Sequence, residues 1–414
     1  MERKKMRQTE PAPDTGGQVV RVAGKIKPQV NRYYGRVALR YRMLGGVLAV
    51  MLGLFLVLVL AVYGEYITYD NLTYLARDFD LSIQTGSGSF TTITYPRQES
   101  LSFVPFKNGM AVSGGDVLRI YDSAGIVLTE ENLNYEEPVL VSSDKYVLAY
   151  DLGSRNYSLY NTLTRVIDRQ ADFRITCADV SDTGAFLLVT RSNETRYVVE
   201  LYNTALNKTM SIYKDHYVLD AAIRDDGKRL VICSAIPSGT DFTCEISLCE
   251  DGKAEPVITK TYTGTMPLRA SFAPDGSFAV LCDNEVLFFD KDGNEKNVYK
   301  ITGMTLVSAH MNNGIAALVG AENALGSENR IVVLDFDGNV LFSQSYKERV
   351  TDICTAEEDG EYLCAILTTG SVIKLGTQGI VESVELEDDD TLSVECADQG
   401  VVVCTKDSMY YAFQ

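Results

Sequence analysis

The sequence predicts an all-β protein, an eight-bladed β-propeller preceded by one transmembrane helix. Three observations lead to this fold class. An apolar run without charge occupies residues 43–64, a strand-and-turn pattern recurs every 36 to 49 residues from residue 100 onward, and a lone strand precedes the first repeat. The spacing of the repeats lies in the range of a propeller blade.

Residues 1–42 are predicted to form a basic cytoplasmic tail. The first 43 residues hold eleven Lys/Arg and three Asp/Glu, whereas the remainder holds 27 Lys/Arg and 53 Asp/Glu. Positive charge marks the cytoplasmic flank of a membrane span. We therefore expect the N-terminus inside the cell and the acidic remainder outside it.

Residues 43–64 are predicted to form the transmembrane helix. They are 22 residues without a charge, which as a helix span roughly 33 Å, enough for a bilayer core of about 30 Å. The run is longer than the apolar region of a signal peptide, and no A-x-A cleavage site follows it. The prediction is a single-pass signal anchor in the cell membrane.

Residues 65–87 are predicted to be a juxtamembrane stalk and hinge. Asp70 is a suitable N-cap, and Leu72, Leu75 and Phe79 follow it at helical spacing. The Gly/Ser-rich stretch that comes next ends this pattern.

Residues 88–414 carry the repeat and are predicted to be the extracytoplasmic propeller. Two classes of Asp/Gly turn alternate, as in "FAPDGSFAVLC" and "FFDKDGNEKN". Apolar runs of four to eight residues between such turns predict strands joined by hairpins. Each unit is then an antiparallel meander of strands a, b, c and d. The predicted units start near Ser100, Glu137, Phe173, Tyr217, Met266, Met304, Arg349 and Asp390.

The eighth unit supplies only three strands before the chain ends. The strand at residues 88–96 has no partner near it in sequence. A closed ring leaves no free edge, so this N-terminal strand should complete the last blade beside residues 408–413. Seven blades is the alternative if the strand does not exchange.

The stretch "FAPDGSFAVLCDNEVLFFDKDGN" resembles the blades of bacterial WD40-like and TolB-like propellers. The whole layout resembles a Gram-positive family of single-span, membrane-anchored β-propeller proteins classed as a domain of unknown function. The resemblance covers most of residues 86–414 and implies a fold rather than an activity. The chain contains no Trp, so the W-D end of eukaryotic WD40 blades and the Trp-docking blades of quinoproteins are absent.

No metal ion and no cofactor is predicted. If Asp290 opened a calcium loop, position 6 would be Gly and position 12 a bidentate Glu, but Glu295 and Ile301 stand there. We therefore interpret this motif as a tight turn. The acidic run at residues 387–390 is interpreted as a solvated loop, with loose divalent-cation binding as the alternative.

The cysteines are mostly predicted to be buried thiols. Their number, nine, is odd, and C-x-x-C does not occur. Cys354 and Cys364 flank one a–b turn, and Cys396 and Cys404 flank another, so each of these two pairs could be cross-strand neighbours.

The protein is predicted not to be an enzyme, with no catalytic residue assigned. Its two histidines lie in no ligand pattern, and no G-x-S-x-G motif occurs. A domain with a formal charge of −26 does not favour nucleic acid as a partner.

The preferred function is a membrane-tethered, extracytoplasmic binding or scaffolding module for a protein or a cell-envelope ligand. One alternative is a propeller hydrolase acting on envelope glycans. A second is a single-span sensor that signals through the basic tail.

The candidate partner-binding residues lie in three long b–c connections, at residues 190–196, 235–242 and 320–330. Long loops on a rigid ring tend to carry function. The juxtamembrane stalk should reach the propeller at the opposite face, where the a–b and c–d turns are mostly tight. The long loops should therefore point away from the membrane. The nine candidates are Arg191, Asn193, Glu194, Ser238, Thr240, Asp241, Glu322, Asn323 and Glu328.

Overall fold

The computed structural model describes residues 32–63, 92–97, 100–114, 116–253, 255–358, 361–376, 379–386, 390–397 and 400–413. These residues belong to two separate units, one helical and one a β-domain. Helix α1 spans Arg32–Tyr63. In the part of the chain that the structure describes, no helix meets the length and hydropathy required of a membrane span. The predicted stalk and hinge lie outside the described residues.

The β-domain consists of eight four-stranded antiparallel sheets, which confirms the eight-bladed propeller. Strand β1 (Ile93–Thr94) belongs to the last blade. Blades 1 to 4 are formed by β2 (Leu101–Phe106), β3 (Gly109–Gly114), β4 (Val117–Tyr121), β5 (Val127–Asn132); β6 (Pro138–Ser142), β7 (Val147–Asp151), β8 (Asn156–Tyr160), β9 (Arg165–Gln170); β10 (Ile175–Val180), β11 (Phe186–Arg191), β12 (Tyr197–Tyr202), β13 (Lys208–Lys214); and β14 (Tyr217–Ile223), β15 (Arg229–Ser238), β16 (Asp241–Glu250), β17 (Ile258–Thr263).

The first strand of each blade begins within two residues of its predicted start. Blades 5 to 8 are formed by β18 (Pro267–Phe272), β19 (Phe278–Cys282), β20 (Glu285–Phe289), β21 (Glu295–Lys300); β22 (Thr305–Asn312), β23 (Ile315–Ala321), β24 (Asn329–Asp335), β25 (Val340–Tyr346); β26 (Val350–Glu358), β27 (Glu361–Thr368), β28 (Ser371–Gly376), β29 (Gly379–Glu385); and β30 (Thr391–Ala397), β31 (Gly400–Thr405), β32 (Ser408–Phe413), with β1 as the fourth strand of blade 8.

The Asp/Gly motifs form the tight turns that join the strands. In the c–d turn of blade 5, the Asp290 carboxylate accepts the backbone N–H groups of Asp292 at 2.9 Å and Asn294 at 2.8 Å. Gly293 adopts φ +81°, a conformation that side chains with a Cβ rarely adopt. The hydrogen bond from the Asn294 side chain lowers the pKa of Asp290. The interpretation of this motif as a turn is confirmed.

The ring is closed by the N-terminal strand, as predicted. Ile93 pairs with Met409 and Thr94 pairs with Ser408. The Tyr95 hydroxyl then donates to the carbonyl oxygen of Thr405 at 2.8 Å and also lies 2.6 Å from that of Ser408. Residues 88–91 of the predicted strand lie outside the described residues.

The a strands form the inner wall of the ring. Each contacts the a strand of the neighbouring blade, and β2 contacts β30 to complete the circle. One apolar cluster lies between each pair of neighbouring blades. Stacked rings contribute to two of them, with centroid distances of 4.7 Å for both Phe278–Phe289 and Phe186–Tyr202. Phe and Tyr thus fill the blade interfaces of a chain without Trp.

The structure corrects the predicted cysteine neighbours. Cys354 is opposite Ala365 and Cys396 is opposite Val401, so neither expected pair is directly cross-strand. Instead Cys354 and Cys396 form a disulfide between the a strands of blades 7 and 8. The two cysteines occupy neighbouring blades, and the spacing within one hairpin could not show this contact. The other seven cysteines are free thiols, and six of them are buried.

Candidate functional site

The propeller has two faces with different connections. We call the side with the a–b and c–d turns the turn face, and the side with the b–c and d–a connections the loop face. Strand β1 runs antiparallel to β32 and ends beside the b–c turn of blade 8, where the Tyr95 amide donates to the Asp407 carbonyl at 2.9 Å. The chain therefore reaches β1 from the turn face.

The predicted loop in blade 3 is present on the loop face, at residues 192–196 between β11 and β12. Arg191, Asn193 and Glu194 are exposed. The guanidinium of Arg191 lies over the ring of Tyr197, 4.9 Å from its centroid. Cation–π contacts of this kind hold a basic side chain against the surface of the blade.

The prediction of a long loop in blade 4 is wrong. Residues 235–242 are mostly strand, because β15 and β16 extend to a two-residue turn at Gly239 and Thr240. Gly239, with φ +66°, makes this turn possible. Three residue pairs continue past the start of the a strand, so the hairpin projects by about 10 Å. Its exposed tip carries the candidates Ser238, Thr240 and Asp241.

The predicted loop in blade 6 is a seven-residue connection, residues 322–328, with internal hydrogen bonds. The Glu322 amide donates to the Glu328 carbonyl at 2.8 Å. Asn323 accepts the Ser327 amide at 3.1 Å. These bonds hold the loop in one shape.

Two of the three candidates in this loop have side chains that are already hydrogen-bonded, Glu322 to the blade and Asn323 within the loop. Glu322 pairs with Arg330 and accepts the Ser345 hydroxyl at 2.7 Å, a hydrogen bond that lowers its pKa. Asn323 holds the turn. Glu328 is exposed, and so is Leu325, whose side chain is 89% accessible at the tip. Leu325 was missed because the prediction favoured polar residues.

The nine candidates do not form one site. Those of blades 3 and 4 are on neighbouring blades, and Arg196 of the first lies over the Tyr217 ring of the second, 4.2 Å from its centroid. Blade 5 separates them from the loop of blade 6. They therefore make two groups on the loop face.

A feature of the loop face that the sequence analysis missed lies on the inner strands. In blades 3 to 8 the a strand carries a β-bulge near its start. A bulge inserts an extra residue, and the side chain of that residue does not follow the regular alternation between the two faces of the strand. In blades 4 to 8 the extra residue is exposed, and these five residues, which we call the collar, are Leu219, Leu268, Val307, Thr351 and Leu392.

A sequence signal for the collar exists in retrospect. In "VLDA", "PLRA" and "LVSA", two apolar residues stand side by side just before a polar one. Successive side chains of a regular strand point to opposite faces, so two apolar neighbours fit a half-buried strand only if one of them is an extra residue. Since the a strands start at the loop face, the collar borders the axis of the ring on that face along the arc of blades 4 to 8.

Carboxyl groups lie next to the collar, farther along the a strands. We call Asp179, Asp220, Asp352 and Glu395 the acidic group. The carboxylate of Asp220 accepts the Ala270 amide of the next blade at 2.7 Å, and that of Asp352 accepts the Val394 amide at 3.1 Å. The inner edge of each a strand has unpaired N–H groups, and these carboxylates satisfy some of them.

Asp179 and His310 act in the same way. Asp179 accepts the Ile223 amide at 2.8 Å, and the Nδ1 atom of His310 accepts the Thr355 amide at 3.2 Å. Burial and, to a smaller extent, the charge of Arg269 lower the pKa of His310 to about 3. The imidazole is therefore neutral, with Nδ1 free to accept.

The acidic group lies on the inner strands as two neighbouring pairs, Asp179 with Asp220 in blades 3 and 4 and Asp352 with Glu395 in blades 7 and 8. These side chains keep some exposed surface because they border the axis. The surrounding protein nevertheless removes much of the water that would hydrate them. Burial raises the pKa of Asp179 to about 7 and that of Glu395 to about 8. The charge of Arg269, from blade 5, opposes the shift at both. The charge of Arg269 thus acts on carboxyls of blades 3 and 8.

Glu395 differs from the other three carboxyls. Within the described residues no hydrogen-bond partner of its carboxylate is found, whereas each of the others accepts a backbone amide. The charge of Asp352 contributes to the raised pKa of Glu395, after burial. The described residues contain no group of three or more His, Cys, Asp and Glu side chains suited to a metal ion.

Most of the propeller sequence matches one known protein family. Residues 88–379 match a family of unknown function, DUF5711. The chain belongs to DUF5711. No curated protein matches it.

Solved structures resemble the DUF5711 chain in fold. BamB from Moraxella catarrhalis is 10% identical, with a TM-score of 0.52 over 78% of this chain and 99% of that one. Sqt1 from Chaetomium thermophilum, bound to the N-terminus of ribosomal protein L10, is 11% identical, with a TM-score of 0.51 over 78% and 97%. The Dos1 propeller is 11% identical, with a TM-score of 0.57 over 79% and 96%. At these identities the likeness concerns the propeller fold of DUF5711 alone.

Proposed function

We propose that this DUF5711 protein is a membrane-tethered, extracytoplasmic propeller that binds a protein or cell-envelope ligand on its loop face and catalyses no reaction. The observation that carries the proposal is the asymmetry of the faces. Tight Asp/Gly hairpins make up much of the turn face, whereas the loop face carries the structured loop at residues 322–328, the projecting hairpin of blade 4 and the collar. Exposed apolar side chains grouped on a rigid scaffold are typical of interaction sites.

The membrane part of the proposal rests on the sequence. The charge-free run at residues 43–64 and its basic N-terminal flank support a signal anchor. The Cys354–Cys396 disulfide supports an exported domain, because disulfides persist in oxidising compartments and are rare in the cytosol. Strand β1 is reached from the turn face, which is consistent with a loop face directed away from the membrane.

A binding role fits the axis better than the hydrolase alternative does. Asp179, Asp220 and Asp352 each accept a backbone amide from the next blade, which holds these carboxylates in place against the inner strands. A glycoside hydrolase requires two carboxyls directed at one bond. Of the four carboxyls in the acidic group, Glu395 alone accepts no backbone amide within the described residues. The likeness to Sqt1, whose bound partner is a peptide terminus, supports a protein ligand by analogy of fold.

Topology is tested with protease added to cells stripped of their wall. We expect an epitope at the C-terminus to be lost and a tag at the N-terminus to be protected. Retention of the C-terminal epitope in intact cells, with loss after lysis, would overturn the anchor.

Ligand capture is tested by crosslinking in cells with two matched variants. Replacing residues 322–328 by a two-residue turn, or changing Leu325→Ser, should reduce capture severalfold and leave the protein folded, although the first change also removes the bonds of Glu322 to Arg330 and Ser345. Ile126→Ser, at an exposed apolar position on the turn face, is the control. If the control loses capture and the loop variants keep it, the faces are assigned wrongly.

A further inference from the structure

We propose that the collar and the acidic group together bind a peptide segment of another protein in which a lysine or arginine stands beside bulky apolar side chains. This inference deepens the proposed function and rests on it. It names the place on the loop face and the chemistry of the partner.

The collar supplies the apolar part of the site. Its four aliphatic members, Leu219, Leu268, Val307 and Leu392, are between 38% and 47% exposed although they belong to the innermost strands. A regular strand would direct these side chains into a blade interface, and the bulges instead leave them outside the apolar clusters. Covering them would remove apolar surface from water on association.

The acidic group supplies the charged part. Arg269 is the only Lys or Arg among the eight a strands, whereas the acidic group contributes four carboxyls to these strands, two in blades 3 and 4 and two in blades 7 and 8. Asp220 and Asp352 directly follow the collar residues Leu219 and Thr351 in sequence. Attraction of a cation is stronger here than in open water because protein surrounds the group. A cationic side chain that passes the collar therefore meets excess negative charge when these carboxyls are ionised, and its own charge favours their ionisation.

The collar lies near the start of the a strands and the acidic group lies farther along them, and this order selects the occupant. Lys and Arg have an aliphatic stem and a charged head. The stem can contact the collar while the head reaches the carboxyls one to three residues farther along the a strands, roughly 3–10 Å deeper. A phosphate-rich partner would be repelled by the acidic domain. A small inorganic cation would leave the collar uncovered.

The test measures binding of labelled octapeptides to the full chain in detergent micelles by fluorescence anisotropy. One peptide has leucines flanking a lysine, the second has glutamate in place of the lysine, and the third has serines in place of the leucines. The protein variants are the collar double variant Leu268→Ser/Val307→Ser, the charge variant Glu395→Gln, and Val340→Ser/Val381→Ser as control. The control positions are exposed apolar residues near the turn-face ends of β25 and β29.

We expect the first peptide to bind at least tenfold more tightly than either of the others. The collar double variant should lose tenfold or more, Glu395→Gln should lose a few-fold, and the control should be unchanged. Circular dichroism and the melting temperature of each variant establish that it is folded. Equal affinity for the lysine and glutamate peptides, or an unchanged affinity in the folded collar variant, overturns the inference.

The crosslinking experiment separates this inference from the proposed function. If partner capture in cells persists in the collar variant and is lost in the variants of residues 322–328, the loop face binds a ligand but the collar does not. That result overturns the inference and retains the proposed function. Loss of capture in the collar variant, together with the peptide preference, supports both.

Discussion

The turn face and the loop face are built from the same eight repeats, yet different physical demands shape them. On the turn face, a hairpin such as Asp335–Gly338 needs a carboxylate that accepts its own backbone amides and a glycine at positive φ. Connections range from two residues to seven on both faces, but the a strands, which start on the loop face, carry bulges there in blades 3 to 8. The comparison teaches that local hairpin chemistry repeats on the turn face, while the bulged a strands place exposed apolar side chains on the loop face.

The largest expected effect comes from removing the strand that ends on the loop face. A chain beginning at residue 99 lacks β1 and the Tyr95 hydrogen bonds, so β32 becomes an exposed edge. We expect aggregation, or a loss of several kcal/mol in the free energy of unfolding. Denaturant unfolding and size-exclusion chromatography measure this, with a chain beginning at residue 81 as control. Equal stability and a monomeric state for both chains would show that closure does not need β1.

The next effect concerns the inner wall that the two faces share. Cys354→Ser/Cys396→Ser removes the link between blades 7 and 8, whose cysteines are 42 residues apart. The chain-entropy relation gives a loss of about 4 kcal/mol for a loop of this size. Chemical denaturation under non-reducing conditions measures it. Cys364→Ser, at a buried free thiol, is the control, and a loss no larger than in that control would contradict the prediction.

Two glycines of blade 6 compare the faces directly. Gly338 on the turn face has φ +81°, and an added Cβ would lie 2.6 Å from the Asn297 amide nitrogen. Gly326 on the loop face has φ +66° and open space around it. We expect Gly338→Ala to cost about 2–3 kcal/mol and Gly326→Ala about 1 kcal/mol, since only the backbone strain is common to both. A larger loss for Gly326→Ala in urea unfolding would break the comparison.

The smallest effect is the pH dependence contributed by Glu395. Burial raises its pKa to about 8. A carboxyl whose pKa is raised on folding stabilises the native state fully below its unfolded pKa, near 4.5 here, and this contribution is lost as the pH rises towards 8.

Glu395→Gln removes this pH-dependent cost. We expect the variant to be more stable than the native protein at pH 9 by about 1–2 kcal/mol, a part of the full linkage because water at the axis screens the charge. The two should differ little at pH 5. The groups that act on Glu395 are Asp352, Arg269 and the Cys404 thiol. A constant difference across pH 5–9 would contradict the assignment.

Much of the fold could be predicted because its determinants are local. A turn such as the one at Asp290 depends on residues within five positions, so hairpin chemistry located every blade and the truncated last repeat indicated closure. The hairpin of blade 4 was predicted wrongly because Pro237 and Gly239 are typical of loops. Pairing of Ile236 with Thr243 and of Pro237 with Phe242 extends the strands there.

The candidate site could be predicted only in part, because it depends on neighbours that are distant in sequence. The position of the blade 6 loop was visible, but its exposed Leu325 and the use of Glu322 within the blade depend on Arg330 and Ser345. The collar depends on bulges, which shift the register of one strand against another. The Cys354–Cys396 contact joins two blades, and no spacing within a repeat encodes it.

Closure by the first strand has a consequence for synthesis. Tyr95 and its partner Thr405 are separated by 310 residues. At about 5–20 residues per second, translation needs roughly 15–60 s to supply that partner after the first strand has been made. During this interval β1 is an edge without a neighbour, open to pairing with another chain. As described it is two residues long, and Pro96, which has no N–H, stands two residues after it. A short edge beside a proline is poorly suited to such mispairing. The nascent chain is therefore protected from pairing with another chain until its own last strand has been made.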